Sequence, residues 1–370
     1  MELARTPLRR VAWRIAEGVD GTLLMLMLSL STLGLAALFS ATYESPARVV
    51  NQLGNLGVAL VAMWLASRLS PQTMMRFALP AYTIGLALLI AVALFGEVVN
   101  GARRWLDIGV MRFQPSEMMK IALPMMLAWY FHRRESGLKL THFAAAAFVL
   151  AVPVGLILRQ PDLGTAALVG AAGFFVIFFA GLSWRVMGML TAAGAAALPL
   201  LWHFMHDYQR KRVLTLLDPT QDPLGAGYHI IQSTIAVGSG GVSGKGWLNG
   251  TQAHLEFIPE RHTDFIFAVY SEEFGLIGNL VLLALYAALI ARGLVIAANA
   301  ATVFARLLAG SIALMFFVYA FVNMGMVSGI LPVVGVPLPF LSYGGTALLT
   351  LFIAAGILMS IYRHRKLVQT

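Results

Sequence analysis

A succession of long apolar segments constrains the fold of this chain more than any other feature. Ten segments, each about 17–27 residues long, lie at residues 21–41, 50–67, 77–95, 115–131, 142–158, 164–180, 186–205, 265–291, 307–327 and 343–361. In lipid every backbone polar group has to be bonded internally, which favours helices over open sheet. Only 12% of the residues are charged, about half the usual share in a soluble domain. The sequence therefore predicts an all-α integral membrane protein, with residues 1–370 forming a single polytopic domain of about ten transmembrane helices.

The distribution of Lys and Arg predicts the orientation of these helices, because cytoplasmic connections are enriched in basic residues. Fifteen of the 26 basic residues lie at one set of helix ends, namely Arg5, Arg9, Arg10, Arg14, Arg68, Arg76, Arg133, Arg134, Lys139, Arg185, Arg292, Arg306, Arg363, Arg365 and Lys366. We expect this side to be cytoplasmic, with both termini on it.

Two outer connections nevertheless carry clusters of basic residues. The first cluster contains Arg103, Arg104 and Arg112; the second contains Arg210, Lys211, Arg212, Lys245 and Arg261. The second lies in residues 206–263, the one long connection, whose aromatic and apolar content argues against disorder. These charges are either ordinary solvated loop charges or the binding site of an anionic ligand at the outer membrane surface.

Ionisable residues within or beside the apolar segments point to the interior of the helix bundle, since charges facing lipid are costly. Glu117 and Lys120 lie three residues apart and can pair on one helix face, as a structural pair or as part of a central cavity. Asp162 precedes the sixth segment, where it either caps a helix or contributes a second acid to that cavity. Glu272 lies eight residues after Asp264, so it either faces the same cavity or serves as a structural hydrogen-bond partner.

Residues 323–347 place three prolines and five glycines between the last two segments. Irregular backbone at this depth persists only where it is buried in protein or lines a cavity. The end of this stretch, from Ser342 to Thr346, offers free N–H groups at a helix N-terminus, which favours anion binding.

A second glycine-rich stretch, residues 238–250, does not fit a phosphate-binding loop. Ser239 stands where the first glycine of that pattern belongs, and Gly246 stands where the magnesium-binding Ser or Thr belongs. We expect either a flexible turn that brings Lys245 near a ligand or a plain loop.

Several longer motifs resemble those of one family, SEDS (shape, elongation, division and sporulation), and are more similar to its rod-shape members than to its division members. In order, between residues 100 and 350, they are RRWLDIGVMRFQPSEMMK, QPDLGTA, DPLGAGYHIIQS, LEFIPERHTDFIFAV and ILPVVGVPLPFLSYGGT. The resemblance implies a ten-helix peptidoglycan glycosyltransferase of the bacterial cytoplasmic membrane that polymerises lipid II on the outer side. It also implies a class B penicillin-binding protein transpeptidase and the elongation machinery as partners, in contact with membrane lipids and not with nucleic acid. By position, Asp264 matches the family's essential aspartate, Glu117 and Lys120 its buried pair, and Asp162 an acidic cavity residue.

The residues suit that chemistry. Displacement at an α-linked sugar by a hydroxyl needs one general base, for which Asp264 at the water–lipid boundary is the candidate. A helix N-terminus and Arg261 favour its ionised form while burial favours the neutral form, and the sequence does not decide between them. The residues expected to bind the pyrophosphate or sugar are Arg103, Arg104, Arg210, Arg212, Lys245, Arg261 and Ser342.

Cofactor use is not specified by any motif. The chain has no cysteine, and its eight histidines lack metal-ligand spacing, which leaves a divalent cation such as magnesium open. The principal alternative function is a flippase or transporter of lipid-linked precursors, because broken helices and intramembrane charges also mark transporters. The polar residues crowd toward the outer half of the segments, which favours an outward-opening enzyme.

Overall fold

The computed structural model of the chain describes residues 18–42, 45–99, 102–107, 112–205, 207–222, 225–255, 257–258 and 260–365. The helices within these residues are α1 (Gly21–Ala41), α2 (Pro46–Arg68), α3 (Pro71–Phe95), α4 (Pro115–His132), α5 (Leu140–Arg159), α6 (Leu163–Phe179), α7 (Trp184–Phe204), α8 (Asp207–Leu217), α9 (Ala226–Ser239), α10 (Thr251–His254), α11 (Ile266–Ala298), α12 (Val303–Val327) and α13 (Gly345–Arg363). A 3₁₀ turn covers Pro219–Gln221. The predicted all-α fold is confirmed, and a long helix lies over each of the ten apolar segments.

Seven of the described helices, α1–α3, α5 and α11–α13, are long and apolar enough to cross a membrane by length and composition. Proline occupies the first turn of α2, α3 and α4, where its missing N–H costs no hydrogen bond. Proline in the first turn therefore explains where α2, α3 and α4 begin.

The most buried helices lie at the centre of the bundle. In α12 and α13, 67% of the most apolar window is buried, against 17% in α5. α12 packs against α11, α6 and α4, while α13 packs against α2. By contrast, none of the described residues of α7 is buried, so α7 lies at the periphery. Polar side chains that point inward from α4 and α12 are consequently enclosed by protein.

Two connections complete the framework of the site. A small antiparallel sheet, β1 (Glu97–Val99), β2 (Ala102–Asp107) and β3 (Arg112–Phe113), lies between α3 and α4 and places Arg103 and Arg104 on its central strand. Between α12 and α13, residues 328–344 contain neither helix nor strand and are called here the irregular segment. The sequence did not predict the sheet, whereas it did predict irregular backbone before α13.

Candidate active site

The backbone that carries Asp264 is held at three successive carbonyl groups just before α11. These residues lie in a turn, since the helix begins at Ile266. Each carbonyl accepts one hydrogen bond from a distant part of the chain: His262 O from Tyr343 N (2.9 Å), Thr263 O from the Ser342 hydroxyl (2.7 Å) and Asp264 O from the Asn323 amide (2.8 Å). Two of the donors belong to the irregular segment and the third belongs to α12. Packing between elements far apart in sequence therefore sets the position of Asp264.

The Asp264 carboxyl group lies against the irregular segment. A Cβ atom added to Gly335 would come within 3.3 Å of its Oδ2 atom, and the φ angle of Gly335 is +71°, which favours glycine. Burial raises the pKa of Asp264 to about 6, and the negative charges of Glu260 and Asp162 add to that rise. Burial, the largest cause, therefore favours the neutral form of this carboxyl group. A carboxyl group with this pKa is ionised at neutral pH and still basic enough to accept a proton.

Asp162 is near enough to Asp264 for its charge to raise that pKa. Its Oδ1 atom accepts a hydrogen bond from the backbone N–H of Thr165 at 3.0 Å and caps α6. Its Oδ2 atom accepts a hydrogen bond from Gln114 at 3.3 Å and lies 3.8 Å from Nε of Arg104. Asp162 is therefore a helix cap, and it also brings an arginine of β2 toward the Asp264 region.

The predicted ion pair between Glu117 and Lys120 is present in the structure. Nζ of Lys120 lies 2.5 Å from Oε1 of Glu117 and 2.5 Å from the Tyr319 hydroxyl of α12. Lys120 is only 2% exposed and Glu117 only 8%. The pair consequently joins α4 to α12 at the centre of the bundle, while its direct part in catalysis stays a prediction.

Lys245 and Glu272 form a separate ion pair. Nζ of Lys245 lies 2.6 Å from Oε1 of Glu272, which also accepts the backbone N–H groups of Thr251 (3.0 Å) and Gln252 (3.2 Å). Glu272 therefore anchors the start of α10 and pairs with Lys245, whose binding of substrate stays a prediction. Asp264 lies in a turn, so the eight-residue spacing does not place it on one helix face with Glu272. The contacts agree with the alternative that Glu272 is a structural hydrogen-bond partner, and its role at a shared cavity stays a prediction.

The glycine-rich stretch 238–250 fills a break in α11. The helix is interrupted at Gly275, whose φ and ψ angles are 61° and −159°. The backbone of the glycine-rich stretch forms four hydrogen bonds with the backbone of α11 on either side of Gly275, at 2.9–3.1 Å. They join Lys245 N to Glu272 O, Gly246 N to Glu273 O, Leu276 N to Gly241 O and Ile277 N to Val242 O. The stretch is a docked structural element and not the predicted flexible turn.

Gly275→Ala is expected to lower the free energy of unfolding by about 1–3 kcal/mol, since this backbone conformation is open almost only to glycine. The added Cβ atom would also collide with the backbone N of Gly244. Thermal unfolding of the purified protein measures the effect. Gly54→Ala in α2 is the matched control, because a Cβ atom there meets nothing within 4 Å. An equal melting temperature for Gly275→Ala and wild type would contradict the tight docking.

Two further residues predicted to bind substrate, Ser342 and Arg210, are engaged in other contacts. The Ser342 hydroxyl is buried; it donates to Thr263 O and accepts from Leu338 N, both at 2.7 Å. Arg210 donates to the carbonyls of Trp202 (3.0 Å) and His203 (2.6 Å) near the end of α7. Both side chains therefore position backbone in this structure, and their binding of substrate stays a prediction.

The remaining predicted arginines differ in their surroundings. Arg261 donates from Nε to the carbonyl of Ala41 at 2.7 Å, which ties the turn before α11 to the end of α1. Arg103 is exposed on β2 beside Arg104, and Arg212 is partly exposed on α8. Their binding of substrate stays a prediction. The side chain of Arg112 lies outside the described residues.

Sequence reasoning missed the contribution of α12. Asn323 is fully buried and contacts the Asp264 backbone, and Tyr319 contacts Lys120. The two residues are four apart, so they share a helix face. The available signal was an amide inside an apolar segment, since such groups usually face the bundle interior.

Comparison with known proteins agrees with this architecture. The family model of FtsW, RodA and SpoVE, described as cell cycle proteins, matches residues 21–367. The peptidoglycan glycosyltransferase MrdB of Escherichia coli K12 is 52% identical over 94% of this chain and 95% of its own length.

Two solved structures share the fold. A chain of a peptidoglycan synthase complex, studied for its coordination of polymerization and crosslinking, has a TM-score of 0.81 and 36% identity, covering 93% of this chain and 98% of that one. The rod shape determining protein RodA of Thermus thermophilus has a TM-score of 0.72 and 31% identity, covering 95% of this chain and 98% of its own. Together with the long apolar helices, these relationships make the protein an integral protein of the inner membrane. The chain belongs to the FtsW, RodA and SpoVE family of cell cycle proteins, the family that its sequence motifs resemble.

Proposed function

We propose that this protein is a peptidoglycan glycosyltransferase that polymerises lipid II into glycan strands at the outer face of the cytoplasmic membrane during cell elongation. The observation that carries the proposal is the Asp264 carboxyl group. Its backbone is held by hydrogen bonds from α12 and the irregular segment, and burial raises its pKa to about 6. The Escherichia coli relative is a peptidoglycan glycosyltransferase, which supports the same reaction class.

Asp264 acts as the general base. It takes the proton from the acceptor sugar hydroxyl while that oxygen attacks the anomeric carbon of the donor. The bond from that carbon to the pyrophosphate oxygen breaks, and its electron pair leaves with the polyprenyl pyrophosphate. A positioned base contributes about 10²–10⁴-fold to such a step.

Charge that develops on the pyrophosphate needs cationic partners. Arg103 and Arg104 are placed for this role by β2: Arg103 is exposed, and Arg104, which donates to the carbonyl of Pro161 at 2.9 Å, approaches Asp162 near the base. We assign stabilisation of the leaving group to these arginines because of their position beside the base.

The rate of polymerisation is expected to fall about tenfold per pH unit below about pH 6, because only ionised Asp264 accepts a proton. Burial, Glu260 and Asp162 all raise this pKa, so Glu260→Gln should move the midpoint to lower pH. The pH dependence of kcat/KM for lipid II between pH 5 and 8 measures it, because this ratio reports the pKa of the free protein. A rate that does not change across this range would argue against Asp264 as the base.

Purified full-length protein incubated with labelled lipid II tests the reaction class. A polymerase yields a ladder of glycan strands that disappears in Asp264→Asn. A flippase moves lipid II across the membrane of sealed vesicles and never lengthens a chain. Lipid transport without a ladder, both alone and with a transpeptidase partner present, would overturn the proposal.

We also propose a class B penicillin-binding protein transpeptidase as the partner that crosslinks the strands. The structural relative found in a complex that couples polymerization with crosslinking supports this assignment. Both termini are proposed to lie in the cytoplasm and Asp264 on the outer side, in agreement with the distribution of basic residues.

A further inference from the structure

Asn323 is a fully buried amide in the central helix α12. Its side-chain nitrogen donates to two carbonyl oxygens, Asp264 O at 2.8 Å and Val336 O at 2.7 Å. Because carbonyl oxygens only accept hydrogen bonds, the NH₂ group and not the oxygen has to face them. The orientation of the amide is therefore set by its partners. Both of its donors are used, and its oxygen has no hydrogen-bond partner among the described residues.

The two acceptors lie on the two segments that meet at the Asp264 carboxyl group, namely the turn before α11 and the irregular segment. One acceptor is the main chain of Asp264 itself. The other, Val336, follows Gly335, whose backbone lies against the Asp264 carboxyl group. The carbonyl groups of His262 and Thr263 accept from the irregular segment, whereas the Asp264 carbonyl accepts from Asn323, which thereby ties this turn and the irregular segment to α12.

We propose that Asn323 is a positioning residue for the glycosyl transfer step. It holds the backbone of Asp264 and the backbone of the irregular segment at Val336 at a constant separation. This inference rests on the proposed function and on Asp264 as the base. Asn323 is buried behind the backbone and does not touch substrate. Its loss should therefore misplace the base without weakening binding of lipid II, and displacement of a reacting group by about 1 Å costs up to about 10²-fold in rate.

Asn323→Leu removes both donors while keeping a similar volume. The expected result is a kcat about 10–100-fold lower, with the KM for lipid II within about twofold of wild type. Ser311→Ala is the matched control, because Ser311 is also fully buried on α12 but donates to Ala172 O instead of the Asp264 backbone. That control should keep the wild-type kcat even if its melting temperature falls.

Two further measurements separate positioning from folding. Asn323→Ser retains one hydrogen-bond donor in a smaller side chain, and it replaces Asn323→Leu if the leucine variant does not purify. Its kcat should also be lower than that of wild type. A folded Asn323 variant with wild-type kcat, or one in which only KM rises, would overturn the proposal. If instead Asp264→Asn polymerises normally, the assignment of the base fails first, so the two failures are distinguishable.

Discussion

Asp264→Asn is expected to lower the rate of glycan polymerisation by about 10²–10⁴-fold and to leave the protein folded. The amide has nearly the same shape as the carboxyl group but cannot accept the proton of the attacking hydroxyl. Folding should be preserved, because the hydrogen bonds that hold this turn use the backbone carbonyls of residues 262–264 and not the Asp264 side chain. Removing a carboxyl group whose burial disfavours its charge also costs no stability at neutral pH.

The measurement is the initial rate of lipid II consumption with purified protein, alone and with a transpeptidase partner. Glu260→Gln is the matched control: it removes an exposed acid from the same turn and should keep most of the rate at pH 7.5. Comparable rates for Asp264→Asn and wild type would remove Asp264 from the mechanism. A loss of rate accompanied by a large drop in melting temperature would show instead that the side chain supports the fold.

Lys120→Met is expected to produce the largest loss of stability, about 3–5 kcal/mol, because it leaves the Glu117 charge buried without its partner. The Tyr319 hydroxyl also loses its contact with Nζ of Lys120. Since this pair joins α4 to α12, whose Asn323 holds the Asp264 backbone, polymerisation should fall together with stability. Thermal unfolding in detergent and the rate of polymerisation are the two readouts.

The double variant Lys120→Met, Glu117→Gln tests the origin of that effect. Neutralising both partners removes the unpaired charge, so most of the lost stability should return. Lys211→Met is the surface control, since the Lys211–Asp222 pair is 3.3 Å long but its lysine is 67% exposed, and a change below about 1 kcal/mol is expected. A double variant as unstable as Lys120→Met would show that contacts other than charge pairing account for the loss.

Much of the site was predictable because the relevant signals are local in sequence. Glu117 and Lys120 are three residues apart, so helix geometry alone predicts their pairing. Asp162 precedes an apolar helix, which predicts its role as a cap. The β1–β2 hairpin escaped prediction although an Asn-Gly pair, a strong hairpin signal, lies between its strands in the sequence.

The ion pair of Lys245 and the hydrogen bond of Ser342 involve distant partners that the sequence does not specify. Lys245 pairs with Glu272, 27 residues away, and the hydroxyl of Ser342 bonds to Thr263, 79 residues away. A side chain with no partner nearby in sequence can still form hydrogen bonds or ion pairs with distant residues, because buried polar groups require such partners. Contact with Glu272 and Thr263 therefore gives Lys245 and Ser342 a structural role that the sequence did not indicate, while their binding of substrate stays a prediction.

The sequence by itself determined the ten apolar helices, their expected orientation, the family and the identity of the candidate base. Each of these depends on residue type and spacing along one stretch of chain, such as apolar length or a motif. Only the tertiary structure decided that burial raises the pKa of Asp264, that the stretch 238–250 completes a broken helix, and that Asn323 holds the Asp264 backbone. These properties depend on which distant groups meet in the bundle interior, where every buried carbonyl, amide and charge requires a partner.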